Sequence, residues 1–334
     1  MYRSILVPLD GSPLSECALP LAAAVARAAG ATLRLAIVPV RATASPVYVE
    51  GLPVIDADLR SLAAAHDLAY LQGVAAGPRA AGAAVTVAVL DPAYPEGDAT
   101  VPARLLGYAA RTDVDLIVMT THGRGGAARF WLGSVADVVT RASPVPVLLL
   151  GPAEGPRPAA GALFRRVLVP LDGSALAEQI LAPALALGGL GGAAYRLLHV
   201  VERRGHGAAD AGGCPRDEDE AWGYLEGLAL RLERAGARVE TRAVTADEVA
   251  PAILEQARAY GADLIAAATH GRSGLARLAR GSVASTLLRA ARQPVLVLRP
   301  RAAAPGNVAL DEPVAASTGP ESPAKHGGAA RSPP

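Results

Sequence analysis

Two aspartates end short apolar runs in almost the same surroundings. Ile5-Leu6-Val7-Pro8-Leu9-Asp10-Gly11-Ser12 returns as Val167-Leu168-Val169-Pro170-Leu171-Asp172-Gly173-Ser174. A carboxylate there can accept both hydroxyls of a ribose, or it can simply help cap the helix that follows, a common place for aspartate. The second repeated feature is a glycine loop. Gly123-Arg124-Gly125-Gly126 leads to Gly133-Ser134 and a helical pattern with Val135, Val138 and Val139 on its buried side. Gly271-Arg272-Ser273-Gly274 leads to Gly281-Ser282, then Val283, Leu287 and Leu288. Glycines let the main chain approach a phosphate closely. A helix start offers that phosphate unpaired N–H groups and the positive end of the helix dipole, and Ser134 and Ser282 can add a hydroxyl donor. Alone, Gly-Ser before a helix is a turn and a cap. The nine residues between Gly123 and Gly133, repeated between Gly271 and Gly281, favour the phosphate site. Arg124 and Arg272 either add charge beside a phosphate or face solvent, and the sequence does not separate the two.

Catalytic groups are harder to find. His122 and His270 have no carboxylate or nucleophile within their motifs, so a loop role is expected of them. His199 stands where the first copy has Ile37, and no Cys/His cluster has metal-ligand spacing. The one lysine is Lys325, which excludes a Walker-type phosphate loop and a Schiff-base enzyme. Net charge is +1 with no block of one sign, which argues against non-specific nucleic-acid binding. Cys17 and Cys214 are too few for a disulfide framework. Cys17 reads as a small core residue within a helical pattern and Cys214 as a loop thiol. The longest uncharged stretch, from Ile180 to Tyr195, is too short and too broken by proline and glycine to cross a bilayer. The chain enters a strand pattern at once, unlike a signal peptide. A soluble cytoplasmic protein is expected, with no membrane and no nucleic-acid partner.

The elements that must hold these residues come in two matching series. Thr121-His122-Gly123-Arg124 returns as Thr269-His270-Gly271-Arg272, Gly133-Ser134-Val135-Ala136 as Gly281-Ser282-Val283-Ala284, and Pro146 to Leu150 as Pro294 to Leu298, all in one order. Such spacing means duplicated domains rather than a solenoid. Each copy alternates strand and helix, which implies an α/β fold with a parallel sheet covered by helices on both faces. Ser12 before Pro13 marks a helix start, and Leu14, Cys17, Ala18, Leu21 and Val25 share one helical face. Strand two is expected over Leu33 to Val38 and Tyr195 to Val200, followed in copy one by a variable loop. The second helix is expected over about Leu59 to Ala76 and about Asp219 to Ala235. The expected divisions are residues 1–150, a linker at 151–164, residues 165–300, and a disordered tail at 301–334. The 203–217 loop reads as mobile.

The combination resembles the universal stress protein family in its tandem form, over nearly all of residues 3–150 and 165–299. The Val-Pro-Leu-Asp-Gly-Ser opening, the Asp-Leu-Ile strand into Thr-His-Gly-Arg, and the Gly-Ser-Val-Ala and Pro-Val-Leu endings carry the likeness. The resemblance implies two Rossmann-like domains of the adenine nucleotide alpha hydrolase kind, each a five-stranded parallel sheet in the order 3-2-1-4-5. ATP-binding members carry Gly, two residues, Gly, nine residues, then Gly-Ser or Gly-Thr. Here Thr120 and Ala268 occupy the place of the first glycine. By the same resemblance Pro8, Asp10, Val38, Gly123, Gly133, Ser134 and Val135 would line one adenine-nucleotide site, and Pro170, Asp172, Val200, Gly271, Gly281, Ser282 and Val283 the other. Arg124 and Arg272 join these as candidates through their charge alone, not through the resemblance. Val38 and Val200 would offer backbone groups to adenine. The implied ligand is ATP or ADP, with Mg²⁺ as a companion, and the implied function is stress-response regulation without efficient catalysis. Two other functions stay open: a ligand-free module that pairs through the last strands, and a weak ATPase. The two domains are expected to pack on each other through those strands, and a homodimer of chains is left open.

Overall fold

The computed structural model describes residues 2–39, 47–49, 52–54, 57–90, 100–121, 133–151, 163–203, 215, 217–269 and 283–300. Residues 152–162 of the expected 151–164 linker, Cys214 and the tail from 301 lie outside these. Strands β1 (Ser4–Leu9) and β2 (Thr32–Ile37) come first, then a short antiparallel hairpin of β3 (Val47–Val49) and β4 (Leu52–Val54). Strands β5 (Ala84–Val89), β6 (Leu116–Thr120) and β7 (Val147–Leu150) complete copy one. Copy two supplies β8 (Arg166–Pro170), β9 (Ala194–Glu202), β10 (Arg238–Ala246), β11 (Leu264–Ala268) and β12 (Val295–Leu298). The helices of copy one are α1 (Pro13–Glu16), α2 (Leu19–Ala29), α3 (Ala57–Ala80), α4 (Val101–Arg111) and α5 (Ser134–Ala142). Those of copy two are α6 (Ala175–Glu178), α7 (Leu181–Gly189), α8 (Glu218–Arg234), α9 (Val249–Tyr260) and α10 (Val283–Ala290).

Each copy has the strand order expected for it, β5-β2-β1-β6-β7 and β10-β9-β8-β11-β12. The two sheets then meet through their last strands, as expected. The last strands pair antiparallel, Val147 with Val297, Leu148 with Leu296 and Leu149 with Val295, and join the copies into one ten-stranded sheet. The physical reason is the edge problem: Val-Leu-Leu-Leu and Val-Leu-Val-Leu carry no charge to repel another strand, so each satisfies the other's open hydrogen bonds. The hairpin of β3 and β4 is a departure, lying where a variable loop was expected.

Strand alternation sends Ile5, Val7 and Leu9 to one face and Leu6 to the other, all buried. One core layer packs α2, α3, α7 and α8 on the sheet, and the second packs α4, α5, α9 and α10. Both layers run through both copies. Tyr2 of copy one donates its hydroxyl to the Pro183 carbonyl of copy two at 3.0 Å.

The helix expected from Ser12 through Val25 is broken. Its α1 part ends at Glu16, and α2 starts at Leu19. Pro20 has no N–H and its ring would clash with the Glu16 carbonyl, so the chain turns at Cys17–Ala18. Pro183 makes the same break between α6 and α7. The turn leaves Cys17 half-buried rather than in the core, with its thiol donating to the Pro13 carbonyl at 3.2 Å.

Candidate functional site

Strand order reverses at β1. The chain runs outward from β1 to β2 and β5, then crosses back to β6 on the other side. In such a sheet, ligands enter beyond the carboxyl ends of the strands at that reversal. A gap in strand pairing lies there, and it has a cause in the sequence. The ladder between β1 and β6 pairs Ile5 with Leu116 and Leu6 with Ile117 and goes no further, whereas β1 stays paired to β2 through Leu9. In copy two, β8 pairs β11 only at Val167 and Leu168 but follows β9 through Pro170, and Leu171 N–H still donates to the Leu198 carbonyl at 2.8 Å. Since Leu171 points its N–H toward β9, the preceding residue would direct an N–H toward β11. That residue is Pro170, which has none, so the ladder stops and the strands can part. Pro8 holds the same place in copy one.

Asp10 leaves β1 at this end. Its Oδ1 accepts from the Ser12 N–H at 2.9 Å and from the Ser12 hydroxyl at 2.6 Å. Asp172 accepts from Ser174 N–H at 3.0 Å and from its hydroxyl at 2.6 Å. Between them Gly11 and Gly173 take φ of 80° and 84°, which L side chains rarely adopt. Ser12 Oγ also accepts from the Ser15 N–H at 3.2 Å, and Ser174 Oγ from the Ala177 N–H at 3.1 Å, the N-caps expected of them. The local, cap-building role of each aspartate is therefore present in both copies.

The Gly-Ser helix start of copy one is tied to the same crevice. Thr121 extends β6 by donating its N–H to the Leu150 carbonyl at 2.9 Å, and its own carbonyl accepts from the Gly133 N–H at 2.7 Å. Gly133 is thus one hydrogen bond beyond the strand that neighbours β1, and neighbouring strands are about 4.8 Å apart. The first intrahelical bond of α5 runs from Asp137 N–H to the Gly133 carbonyl at 2.9 Å. The N–H groups of Ser134, Val135 and Ala136 come before that ladder, at the helix end that favours an anion. Ser134 is exposed and Val135 half-buried. Asp137 would oppose an anion here, but Arg141 one turn on pairs with it.

Other expectations need correction. Val138 is 41% exposed and Val283 36%, so the buried side of α5 and α10 is carried by Val139, Leu287 and Leu288. The physical reason is that α5 covers the sheet with Ala136 and Val139, at helical spacing, leaving Val138 turned away. Val38 is buried one residue past β2. Val200 does not end its strand: β9 continues to Glu202, with Val200 opposite Val244. Pro8 and Pro170 are half-buried opposite Ala36 and Leu198. Gly123, Arg124, His122, Gly271, Arg272, His270, Gly281 and Ser282 lie outside the described residues. Among the described residues no group of three His, Cys, Asp or Glu gathers as a metal site would require.

One pair near the site went unnoticed in the sequence. Tyr70 on α3 donates its hydroxyl to Glu16 Oε1 at 2.9 Å, and Tyr224 on α8 donates to Glu178 Oε1 at 3.2 Å. Burial first, and then the neighbouring glutamate, raise the proton affinity of both phenols; the charges of Asp10 and Asp172 contribute in turn. The available signal was Leu-Ser-Glu in copy one against Leu-Ala-Glu in copy two, six residues after each aspartate.

Residues 1–151 and 163–299 each match the universal stress protein family, so the chain belongs to that family and carries its domain twice. A universal stress protein of Mycobacterium tuberculosis is 30% identical over 193 residues, covering 56% of this chain and 62% of that protein. One from Mycolicibacterium smegmatis is 30% identical over 207 residues, 58% of this chain and 66% of its own length. These likenesses thus span less than two thirds of each relative. A universal stress protein structure from Archaeoglobus fulgidus has the same fold, with a TM-score of 0.65 at 20% identity over 89% of this chain and 98% of that one.

Proposed function

We propose that the chain is an adenine-nucleotide-binding regulator of a stress response in the cytoplasm, binding ATP or ADP with or without Mg²⁺ and turning it over poorly if at all. The carrying observation is that the β1–β6 ladder stops at Leu6 and Ile117, just ahead of Pro8 and Asp10, while a hydrogen bond ties Gly133 to the end of β6. Asp10 is the group for the ribose, with Oδ1 already fixed by Ser12. Gly133, Ser134 and Val135 with the loop from Gly123 and Arg124 are the group for the phosphates, and Val38 contacts the base. Pro170, Asp172, Val200, Gly271, Arg272, Gly281, Ser282 and Val283 are the copy-two counterparts. Thr120 and Ala268, in place of a glycine, are small enough to allow close approach of a ligand.

Titration calorimetry on nucleotide-free protein tests this reading. Micromolar binding, about −8 kcal/mol, is expected, and weakening by about tenfold or more in Asp10→Ala, the scale of a hydrogen bond to a charged group. Absence of heat with both ATP and ADP would sink it. The reading as a ligand-free module that pairs through its last strands meets one obstacle: β7 and β12 are already paired with each other inside the chain. A partner would have to use another surface. Turnover of ATP above background with Mg²⁺, lost in Asp10→Ala with Asp172→Ala, would instead favour an enzyme.

A further inference from the structure

On the nucleotide reading above, we infer that Tyr70 and Tyr224 are positioning residues, each holding the far end of a one-turn helix so that Asp10 or Asp172 is aimed into the crevice. The helix in question is α1 or α6, four residues long. A helix this short has no stability of its own, because nucleation alone costs more than a single turn returns. Its geometry must come from what grips its two ends.

At the near end the grip is the Asp-Gly-Ser turn. The Ser12 carbonyl accepts from Ser15 N–H at 3.1 Å, Glu16 N–H at 3.3 Å and Ser15 Oγ at 2.8 Å, so Ser12 to Glu16 move as one piece. At the far end the grip is the phenol on Glu16 or Glu178. Both ends of this lever repeat. Each glutamate lies six residues after its aspartate, and each tyrosine lies ten residues before its helix ends, at Ala80 or Arg234. The chain between the partners does not repeat: 54 residues separate Tyr70 from Glu16, and 46 separate Tyr224 from Glu178. The contact has survived that difference in length, which falls at the variable start of α3 and α8. The raised proton affinity of both phenols keeps them donors throughout the neutral range.

The copies differ in one respect that sharpens the test. Arg231 Nη2 also donates to Glu178, through Oε2 at 3.3 Å. Counting back from the helix ends, Gly77 stands at that place in copy one. Glu178 therefore keeps a second holder when Tyr224 is cut back, and among the described residues no arginine does this for Glu16.

The experiment is ATP titration by calorimetry on nucleotide-free full-length variants, with thermal unfolding alongside. Tyr70→Phe is expected to weaken one class of site about tenfold, near the lower end for loss of a hydrogen bond to a charged group. Tyr224→Phe is expected to weaken the other class less than about threefold until Arg231→Ala is added. Because Tyr70 acts through Asp10, adding Tyr70→Phe to Asp10→Asn should cost little more, whereas a general loosening of the fold would give additive losses. Should Tyr70→Phe fail to fold, Glu16→Ala against Glu16→Gln puts the same question, since glutamine keeps an acceptor for the phenol and should restore most of the affinity lost with alanine. Wild-type binding with an unchanged Tyr70→Phe, additive losses, or equal weakening by Glu16→Gln and Glu16→Ala would each overturn the positioning role and leave the nucleotide site standing. No ATP binding by the wild type would remove both.

Discussion

Asp115 and Asp263 show how much a single repeated residue can do away from the site. Asp115 accepts from Arg3 N–H at 2.7 Å and from Ser4 N–H at 3.2 Å. Asp263 does the same for Arg165 at 2.8 Å and Arg166 at 3.0 Å. Each carboxylate thus fastens the start of β1 or β8 to the start of β6 or β11, at the end of the sheet opposite the crevice. Asp115→Ala removes two charge-assisted bonds and should lower stability by about 2–3 kcal/mol in urea titration; a loss under about 0.5 kcal/mol would show the clamp to be idle. Tyrosine chemistry supplies a second residue-scale expectation. Burial pushes the Tyr195 phenol up to about 12, and burial followed by the Glu240 charge does so for Tyr260. Their neutral, protonated forms are favoured in the fold, while an unfolded phenol ionises near about 10. Their contribution is therefore complete below about pH 10 and is lost as pH rises toward 12. The urea midpoint should fall between pH 9.5 and 11.5, and a midpoint that rose over that interval would contradict it.

At the scale of the element, Pro8 and Pro170 are more than punctuation. A proline in a central strand usually argues against the strand. Here it sits past the last pair shared with β6 or β11, where its missing N–H ends one ladder and spares the other. Pro8→Val restores a donor on that side. It should leave stability unchanged or raised, and weaken nucleotide at copy one by about 1 kcal/mol, roughly fivefold. Calorimetry with unaltered affinity would show that the crevice does not depend on the proline. Gly191 carries a different constraint. A Cβ there would meet the Phe164 carbonyl and lie 2.9 Å from Leu163 Cβ. Phe164 is fully buried and does not yield easily, so Gly191→Ala should cost about 1–3 kcal/mol, measurable as a lower urea midpoint.

Over the whole molecule, the two copies have ceased to be separate bodies. Residues Met1–Ala303 form one compact unit. The sheet is continuous through β7 and β12, and each core layer contains side chains of both copies, with Phe164 and Tyr2 in the same one. Differential scanning calorimetry should therefore show one unfolding transition, in contrast to the independent steps common in two-domain chains. Two resolved transitions would mean that the shared layers contribute little. Among the described residues no helix is long and apolar enough to cross a membrane.

The strand order within a copy came from the family resemblance, while the sequence by itself determined the repeat, the α/β class and the stations of Asp10, Asp172, Ser12 and Ser174. These follow from local chemistry: apolar period, turn-forming glycine, and short-range hydrogen bonds between residues two or three apart. The break after Glu16 was also present in the sequence as Pro20, but a helical face read across it concealed the stop. Val138 shows the limit of periodicity, since three apolar residues on a helix do not say which of them meets the sheet. Only the tertiary structure decided that the paired last strands make one antiparallel seam in a ten-stranded sheet, that the ladder of β1 stops early on the β6 side alone, and that Tyr70 reaches Glu16 across 54 residues. Each of these depends on which groups meet across long stretches of chain, and a linear pattern carries the residue types but not their meeting.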